Sequence, residues 1–465
     1  MNRLLLTFEA RAPDETMSAF SVGFISLGCA KNLVDSEHMA TVLKNAHVRL
    51  APSPEAADII LVNTCGFIGD AKEESIDVIL RACALKQTGS CRAVIVAGCL
   101  IQRYQRQLQQ AMPEVDAFIG LDQLDEIASV VRRLEQGESG ILRVSRVSNR
   151  VFNPLSSRLV LTGGPFAYIK IAEGCNHQCA FCAIPGIRGR YRSRTISSIV
   201  KEAETLLSRG IRELDLISQD TTRYGYDLNC GIDLPKLLRA LGKLGGQFWI
   251  RLLYGHPAHL SDELLETMGE ISQVCRYLDV PIQHSHPAVL RAMRRAGGAA
   301  AVRAFPERAR RRVPGVTLRT TCLVGFPGES AAHFNDLQAF VRETEFDHLG
   351  VFAFSPEENT AAGVMPQQVS AGTAHRRRAR LMEVQQEIAF RKAAALKRNH
   401  DTVLLLRAGQ RREWEARSAG QAPGVDGVTR VKGIGSHAES GTFMQVRYTG
   451  VDGYDLRAVA DVLRG

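Results

Sequence analysis

Three cysteines fall within eight residues at Cys175, Cys179 and Cys182, in the run Glu173-Gly-Cys-Asn-His-Gln-Cys-Ala-Phe-Cys182 directly after a β-rich stretch. A chain that folds around this motif presents three thiols on one turn, close enough to ligate adjacent irons of a single cluster. Thiolates are the favoured ligands of iron–sulfur clusters. Three ligands leave one iron of a four-iron cluster without a protein ligand, which a cluster needs if it is to bind and reduce a small molecule. A closed zinc site asks for a fourth Cys or His at matched spacing. His177 is the residue available for that role, although a His between two ligands reads more readily as solvent-facing or as support for its neighbours.

A second triplet is dispersed. Cys29, Cys65 and Cys99 lie 36 and 34 residues apart, yet their settings agree: Ser26-Leu-Gly-Cys29, Val62-Asn-Thr-Cys65 and Val96-Ala-Gly-Cys99 each end a hydrophobic strand and open a turn. A parallel sheet gathers such turns along one edge, where ligands of open α/β sheets sit. Three buried free cysteines would be the plain alternative; three in equivalent places favour a second cluster with an open iron. Cys83, Cys91, Cys230, Cys275 and Cys322 show no such grouping and read as structural.

The periodicity sets the organisation. Ser21–Leu27, Asp58–Val62 and Ala93–Ala97 read as buried strands separated by the helical patterns Ser36–Lys44 and Asp70–Lys86, the signature of a parallel α/β sheet. A second series follows, with strands predicted at Ala167–Ile171, Glu213–Ser218, Phe248–Leu253, Tyr277–Val280, Thr317–Val324 and His348–Phe354. Helical patterns at Ser197–Ser208, Leu234–Leu244 and Glu329–Arg342 fall between them. About six β/α units imply a partial or complete parallel barrel with its chemistry at the strand ends. The charged helix Ala374–Arg398 leads into short β runs and Gly-rich turns, which read as a small β-barrel. The fold class is thus α/β. The domains expected are a poorly ordered extension at 1–20, a parallel-sheet domain at 21–140, a linker at 141–164, a TIM-like partial barrel at 165–396 and a small β-barrel at 397–465.

Eleven cysteines and no recognisable export signal point to a reducing cytoplasm, and no apolar run reaches membrane-spanning length. The net charge of +9 favours an acidic partner such as RNA or a ribonucleoprotein surface. Runs such as Arg310 to Arg312 and Arg376 to Arg378 are nevertheless the usual make-up of solvated helix faces.

The spacing Cys-x-x-x-Cys-x-x-Cys, with an aromatic residue before the last Cys, resembles the radical S-adenosylmethionine superfamily. That resemblance implies S-adenosylmethionine chelated at the open iron, with Phe181 near its adenine, although Phe181 serves equally well as core packing. Gln219 and the Gly325-Phe-Pro-Gly-Glu329 turn, through Gly325 and Gly328, are further candidate contacts. The two triplets together with a small C-terminal β-module resemble the methylthiotransferases over about residues 21–465. The implications are two 4Fe-4S clusters, the N-terminal one carrying the sulfur to be transferred, and a C-terminal TRAM domain with Gln421-Ala-Pro-Gly-Val-Asp-Gly427 in a recognisable place. No catalytic side chain beyond the six cluster ligands is singled out.

Two branches of that family compete, one modifying an adenosine of transfer RNA and one an aspartate of ribosomal protein S-twelve. Ser26-Leu-Gly-Cys-Ala-Lys-Asn-Leu-Val-Asp-Ser-Glu37 looks like the ribosomal branch, where transfer-RNA enzymes usually continue Gln-Met-Asn. Lys170-Ile-Ala-Glu-Gly-Cys-Asn-His177, Ala183-Ile-Pro-Gly-Ile-Arg-Gly189, Ser218-Gln-Asp-Thr-Thr-Arg-Tyr-Gly225, Trp249-Ile-Arg-Leu-Leu-Tyr254 and Asp279-Val-Pro-Ile-Gln-His284 continue the match. A non-catalytic iron–sulfur protein that binds RNA is the alternative from another class. The resemblance implies S-twelve or the small ribosomal subunit as partner, an electron donor of flavodoxin or ferredoxin type, a monomer and no membrane. The C-terminal module departs from the family's acidic pattern: Lys397–Gly465 carries eleven Lys/Arg against eight Asp/Glu.

Overall fold

The computed structural model describes residues 4–6, 20–89, 91–154, 158–229, 231–409, 413–435 and 437–461. Cys230, read as structural, and positions 1–3 and 7–19 of the expected extension lie outside the described residues.

The N-terminal domain is a seven-stranded sheet in which Ser21–Ser26, Ile59–Thr64, Ala93–Gly98, Ala117–Ile119 and Ile141–Arg143 run parallel in chain order. Arg49–Leu50 pairs with the first of these, and so does Leu4–Leu6, which runs antiparallel to it from within the stretch read as an extension. Ile141–Arg143, at the head of the expected linker, is the far edge strand of the sheet. The central strands are buried at every position because helices cover both faces, so they read as unbroken apolar runs. Four helices matter below: α1 (Ala30–Asn45), α2 (Gly69–Thr88), α3 (Cys99–Ala111) and α4 (Ile127–Glu135). The first begins six residues ahead of the helix read at Ser36, since its N-terminal turn, Ala30 to Asp35, lacks an apolar stripe of its own.

The central domain is a six-stranded parallel sheet whose strands neighbour one another in sequence order: Phe166–Lys170, Glu213–Ile217, Trp249–Leu252, Val274–Asp279, Thr317–Val324 and His348–Ala353. Each match to the predicted series lies within three residues, and consecutive order with intervening helices makes this a partial β/α barrel. A two-stranded pairing of Ala172–Glu173 with Arg192–Ser193 brackets the cysteine loop and the short helix α5 (Ile184–Arg188). The C-terminal strands His400–Ala408, Trp414–Ser418, Thr429–Lys432, Phe443–Asp452 and Asp455–Ala460 close into a barrel. Among the described residues no helix is long and apolar enough to cross a membrane.

Buried charge holds the domains to one another. Glu213 on the second central strand receives Arg251 Nε at 2.7 Å and Arg417 Nη1 of the small barrel at 3.1 Å, all three side chains at most 2% exposed. The loop after Arg417 closes the amino end of the central barrel, where Tyr277 Oη donates to Asp426 Oδ2 at 2.6 Å and Arg251 Nη1 to the Ala419 carbonyl at 2.7 Å. A cavity of about 1150 Å³ lies at this same end, away from both cysteine sets. On the opposite end, Glu357 receives Lys72 of α2 and Arg103 of α3, each at 2.8 Å, and so ties the N-terminal domain to the loop after the last central strand.

Candidate functional site

All six predicted cysteines stand just beyond the carboxyl ends of parallel strands. Cys29 is the N-cap of α1 and Cys99 the first residue of α3. Cys65 follows Ile59–Thr64, and its turn is fixed by Ser75 of α2, whose hydroxyl accepts from the Cys65 amide at 3.1 Å and donates to its carbonyl at 3.0 Å.

The three turns interlock through Asn32. Its Nδ2 donates to the carbonyls of Leu27 and Thr64 at 3.0 and 2.9 Å, and its Oδ1 lies 3.6 Å from Cys99 Sγ. A Cβ placed on Gly28 would fall 3.2 Å from Cys65 Sγ, so the turns of Cys29 and Cys65 are in contact. Gly98 stands at φ +99°, and a Cβ there would meet Asn63 Oδ1 at 2.3 Å; only glycine permits this approach. Burial pushes the Cys65 thiol up to about 12, with the neighbouring Cys99 and Cys29 adding in the same direction. Three thiols that interact with one another in this way are a set suited to binding a metal cluster, which takes them up as thiolates.

The central triplet follows Ala172–Glu173. Gly174 sits at φ +76° with its Cα against the backbone of Arg190, where a Cβ would lie 2.1 Å from the carbonyl oxygen. The loop is pinned along its length: Cys175 N donates to Gly189 O at 3.0 Å, Cys182 N to Cys179 O at 3.1 Å, and Ala180 N to Met293 O at 2.9 Å. Burial pushes Cys175 up to about 11 and Cys182 up to about 12. Arg295 Nη1 lies 3.8 Å from Cys179 Sγ.

His177 points to Asp220, with Nε2 2.7 Å from Oδ2, and the same carboxylate oxygen meets His259 Nδ1 at 2.8 Å. Burial opposes ionisation of Asp220, but His177, His259 and Thr222 hydrogen-bond its carboxylate and hold its pKa far below the usual range. His256 stacks on His177 at 4.5 Å, and burial, then Arg295, pushes its imidazole down to about 2, so it is neutral. Among the described residues, His177, His256 and His259 are the group whose ligand atoms lie within 4.8 Å of one another. With Asp220 they brace the cysteine loop against the end of the second central strand.

The candidate cofactor contacts are spread over the same face. Phe181 is partly buried against the core of the central domain. Gln219 Oε1 is buried without a hydrogen-bond partner among the described residues, an acceptor suited to a polar ligand. The Gly325–Glu329 turn is closed by its own Glu329, whose Oε2 accepts from Gly325 N at 2.6 Å and Phe326 N at 3.2 Å. A Cβ on Gly325 would meet Ala374 at 2.4 Å, so helix packing accounts for that glycine, while Gly328 N donates to Gln367 O at 3.0 Å.

Sequence reasoning missed the group that joins the two sets. Arg188, at the end of α5, places Nη2 3.4 Å from Cys99 Sγ, 2.8 Å from Asn32 Oδ1 and 3.0 Å from Asp35 Oδ2; its Nη1 lies 3.1 Å from Glu173 Oε2. Lys170 bonds both Asp35, at 2.5 Å, and Glu173. All four side chains are at most 10% exposed. Burial alone would raise the Glu173 carboxyl, but Lys170 and Arg188 outweigh it and hold it well below the usual range. The quoted segments contained Lys170, Glu173 and Arg188; their meeting with Asp35 of α1 is visible only in three dimensions.

A six-stranded partial β/α barrel with a three-cysteine loop after its first strand defines a radical S-adenosylmethionine-type protein. The model of the Radical SAM superfamily matches residues 169–341, that of Uncharacterized protein family UPF0004 residues 21–120, and that of the TRAM domain residues 403–460. The chain is 46% identical to the ribosomal protein uS12 methylthiotransferase RimO of Syntrophus aciditrophicus over 95% of its own length and 98% of that protein's. It is 45% identical to the RimO of Symbiobacterium thermophilum, over 94% and 90%. The radical S-adenosylmethionine methyltransferase TsrM of Kitasatospora setae shares the fold, with a TM-score of 0.54 at 14% identity over 72% of this chain and 74% of that one. The chain belongs to the RimO family of ribosomal protein uS12 methylthiotransferases.

Proposed function

We propose that this chain transfers a methylthio group to the β-carbon of an aspartate in ribosomal protein uS12. Cys175, Cys179 and Cys182 would hold one 4Fe-4S cluster and Cys29, Cys65 and Cys99 a second, with Phe181, Gln219, Gly325 and Gly328 on the S-adenosylmethionine side. The observation that carries the reading is the buried Arg188 network, which joins two three-cysteine sites at the carboxyl ends of two parallel sheets. When bound, these groups supply hydrogen-atom abstraction from an unactivated carbon and a methylated sulfur to replace the hydrogen.

The chain's own residues do the positioning. Asp220, kept ionised, accepts from His177 and His259 and fixes the loop of the first set. Asn32 and Ser75 fix the turns of the second. Lys72, Arg103 and Glu357 hold the two domains together and so fix one set relative to the other. Neutral His256 and buried Gln219 Oε1 offer polar atoms to the cofactor without adding charge. We propose a monomer acting in the cytoplasm, where its ribosomal substrate is, and reduced by a flavodoxin- or ferredoxin-type donor.

The test is mass analysis of uS12 from a strain lacking the gene. The methylthio increment is expected to vanish and to return with the wild-type copy, but not with Cys29→Ala or Cys175→Ala. An increment that persists, or its loss from transfer-RNA adenosine instead, overturns the reading.

A further inference from the structure

Helix α2 has an apolar face turned to the sheet, made by Ala71, Val78, Ile79, Ala82 and Cys83. On its opposite side Glu73, Ile76, Asp77 and Leu80 repeat at the i, i+3, i+4, i+7 spacing that sets side chains in one stripe. Ile76 is 37% and Leu80 47% exposed. Four acids, Asp70, Glu73, Glu74 and Asp77, fall within eight residues. Among the described residues no hydrogen bond or ion pair reaches their side chains, whereas Lys72, at the border of the stripe, is engaged by Glu357. One exposed leucine is ordinary, but two large apolar side chains a turn apart and flanked by acids have the make-up of a contact surface.

The stripe stands beside the site. α2 begins four residues past Cys65, and its first turn is fastened to the loop after the last central strand, Gly69 N donating to Ser355 Oγ at 3.3 Å and Lys72 Nζ to Glu357 Oε2 at 2.8 Å. Ile76 lies one turn along from Lys72 on the same side of the helix. Phe352, on the end strand of the central sheet and 52% exposed, adds apolar surface on the strand that runs into that loop.

The charge of the stripe runs against that of the chain, which carries a net +9. Phosphates of RNA are repelled by such a face. A protein seated in ribosomal RNA neutralises phosphates with Lys and Arg and is therefore basic. Over a chain of net positive charge such a protein meets like charge, and the C-terminal module, with more Lys and Arg than Asp and Glu, is no exception. On α2 it meets opposite charge around apolar anchors.

We propose that the Glu73–Leu80 face of α2 docks a Lys- and Arg-rich segment of uS12 and so presents the protein substrate to the site. The inference rests on the reading of the chain as a uS12 methylthiotransferase and names the surface that holds this substrate. The acids steer and orient the basic segment, and Ile76 and Leu80 take up the aliphatic stems of its side chains. Because α2 is tied to the loop at Ser355 and Glu357, a segment docked on it is held at a fixed place relative to both cysteine sets.

The test is equilibrium binding of reconstituted holoenzyme to purified uS12 at low and moderate salt, with proteins of equal iron content. Glu73→Lys combined with Asp77→Lys is expected to weaken binding by about tenfold or more at low salt and to flatten its salt dependence. Leu80→Ser is expected to weaken binding by about fivefold and to keep the salt dependence of the wild type. Zero-length carbodiimide crosslinking of the wild-type complex is expected to join uS12 lysines to Glu73 or Asp77, which decides the matter even where a variant does not fold. Unchanged binding by both variants overturns the proposal, and so does a crosslink map without α2. Loss of binding to ribosomal RNA rather than to uS12 on charge reversal assigns the face to RNA and overturns it as well. Failure of the parent reading looks different: wild-type enzyme would then leave uS12 without the methylthio increment, whatever docks on α2.

Discussion

Arg188 reaches Cys99 across the domain boundary, Nη2 to Sγ at 3.4 Å, only six residues after the last cysteine of the other set. One guanidinium thus supports both sites, because its second arm holds Glu173, which immediately precedes Gly174 and Cys175. Replacing Arg188 with Met removes the one partner among the described residues that Cys99, Asp35 and Glu173 share. Among the described residues Lys170 then remains as the one ion-pair partner of these two buried carboxylates. Breaking a buried pair of this kind costs on the order of 3–5 kcal/mol. Arg188→Met is expected to unfold at lower temperature and to assemble about one cluster per chain rather than two, the loss falling on the N-terminal set. Iron and sulfide analysis checks this, with and without Cys175→Ala; full iron occupancy in Arg188→Met would count against it.

Two glycines set the geometry of the two sites independently. Gly98→Ala drives a methyl to 2.3 Å from Asn63 Oδ1, and Gly174→Ala to 2.1 Å from the Arg190 carbonyl, both at positive φ. Neither neighbour is the free end of a flexible chain, since Asn63 is itself tied to Asn32 and Ser36. Gly98→Ala is expected to lose iron at the N-terminal set, and Gly174→Ala at the central set. Gly186→Ala, where a Cβ meets nothing within 4 Å, is expected to keep full occupancy. Cluster spectra of the three variants check the ordering.

Much of the fold was legible because strand and turn coincide with a chemical mark. Each of Cys29, Cys65 and Cys99 closes an apolar strand, so the sequence itself showed which strands end on one edge. The central strands were legible for the same reason, apolar runs separated by helical patterns. Short edge strands such as Leu4–Leu6 and Ile141–Arg143 were not, since three residues carry no period and their pairing is decided by the neighbouring strand. In the site, the six cysteines were named from their settings. Arg188, Lys170 and Asp35 were only letters within matched segments, because a buried ion network is defined by partners more than a hundred residues apart. The basic tilt of the C-terminal module likewise gains a partial account in Arg417, which is spent inside the molecule on Glu213.

That last contact carries its own prediction. Arg417 Nη1 bonds Glu213 Oε1 at 3.1 Å and the Gln421 carbonyl at 2.9 Å, with both charged side chains nearly inaccessible. Arg417→Ala leaves Glu213 with Arg251 alone and opens the seam between the small barrel and the central domain. A cost of about 3–5 kcal/mol is expected from a broken buried pair. Limited proteolysis should release the C-terminal barrel from the variant under conditions in which the wild type stays intact. Equal protease resistance of the two proteins would show that the apolar part of the interface suffices.

Glu37 gives the chain a pH dependence that can be isolated. It is 1% exposed on α1; its Oε1 accepts from Leu161 N at 2.8 Å, and Arg158 Nε stands 3.7 Å from its Oε2. Burial pushes its carboxyl from the ordinary 4.5 up to about 7, against the opposing pull of Arg158. The folded chain therefore binds this proton more tightly than the unfolded chain. Below pH 4.5 both states are protonated and the contribution is fully present; between pH 4.5 and 7 the unfolded state ionises first, and stability falls as pH rises. A shift of that size corresponds to on the order of 3 kcal/mol across the window. Glu37→Gln keeps an oxygen for the Leu161 amide and has no proton to lose. Its unfolding free energy relative to wild type is expected to improve by that order between pH 4.5 and pH 8, measured by urea denaturation at both pH values, and a difference that stays constant would place the titration elsewhere.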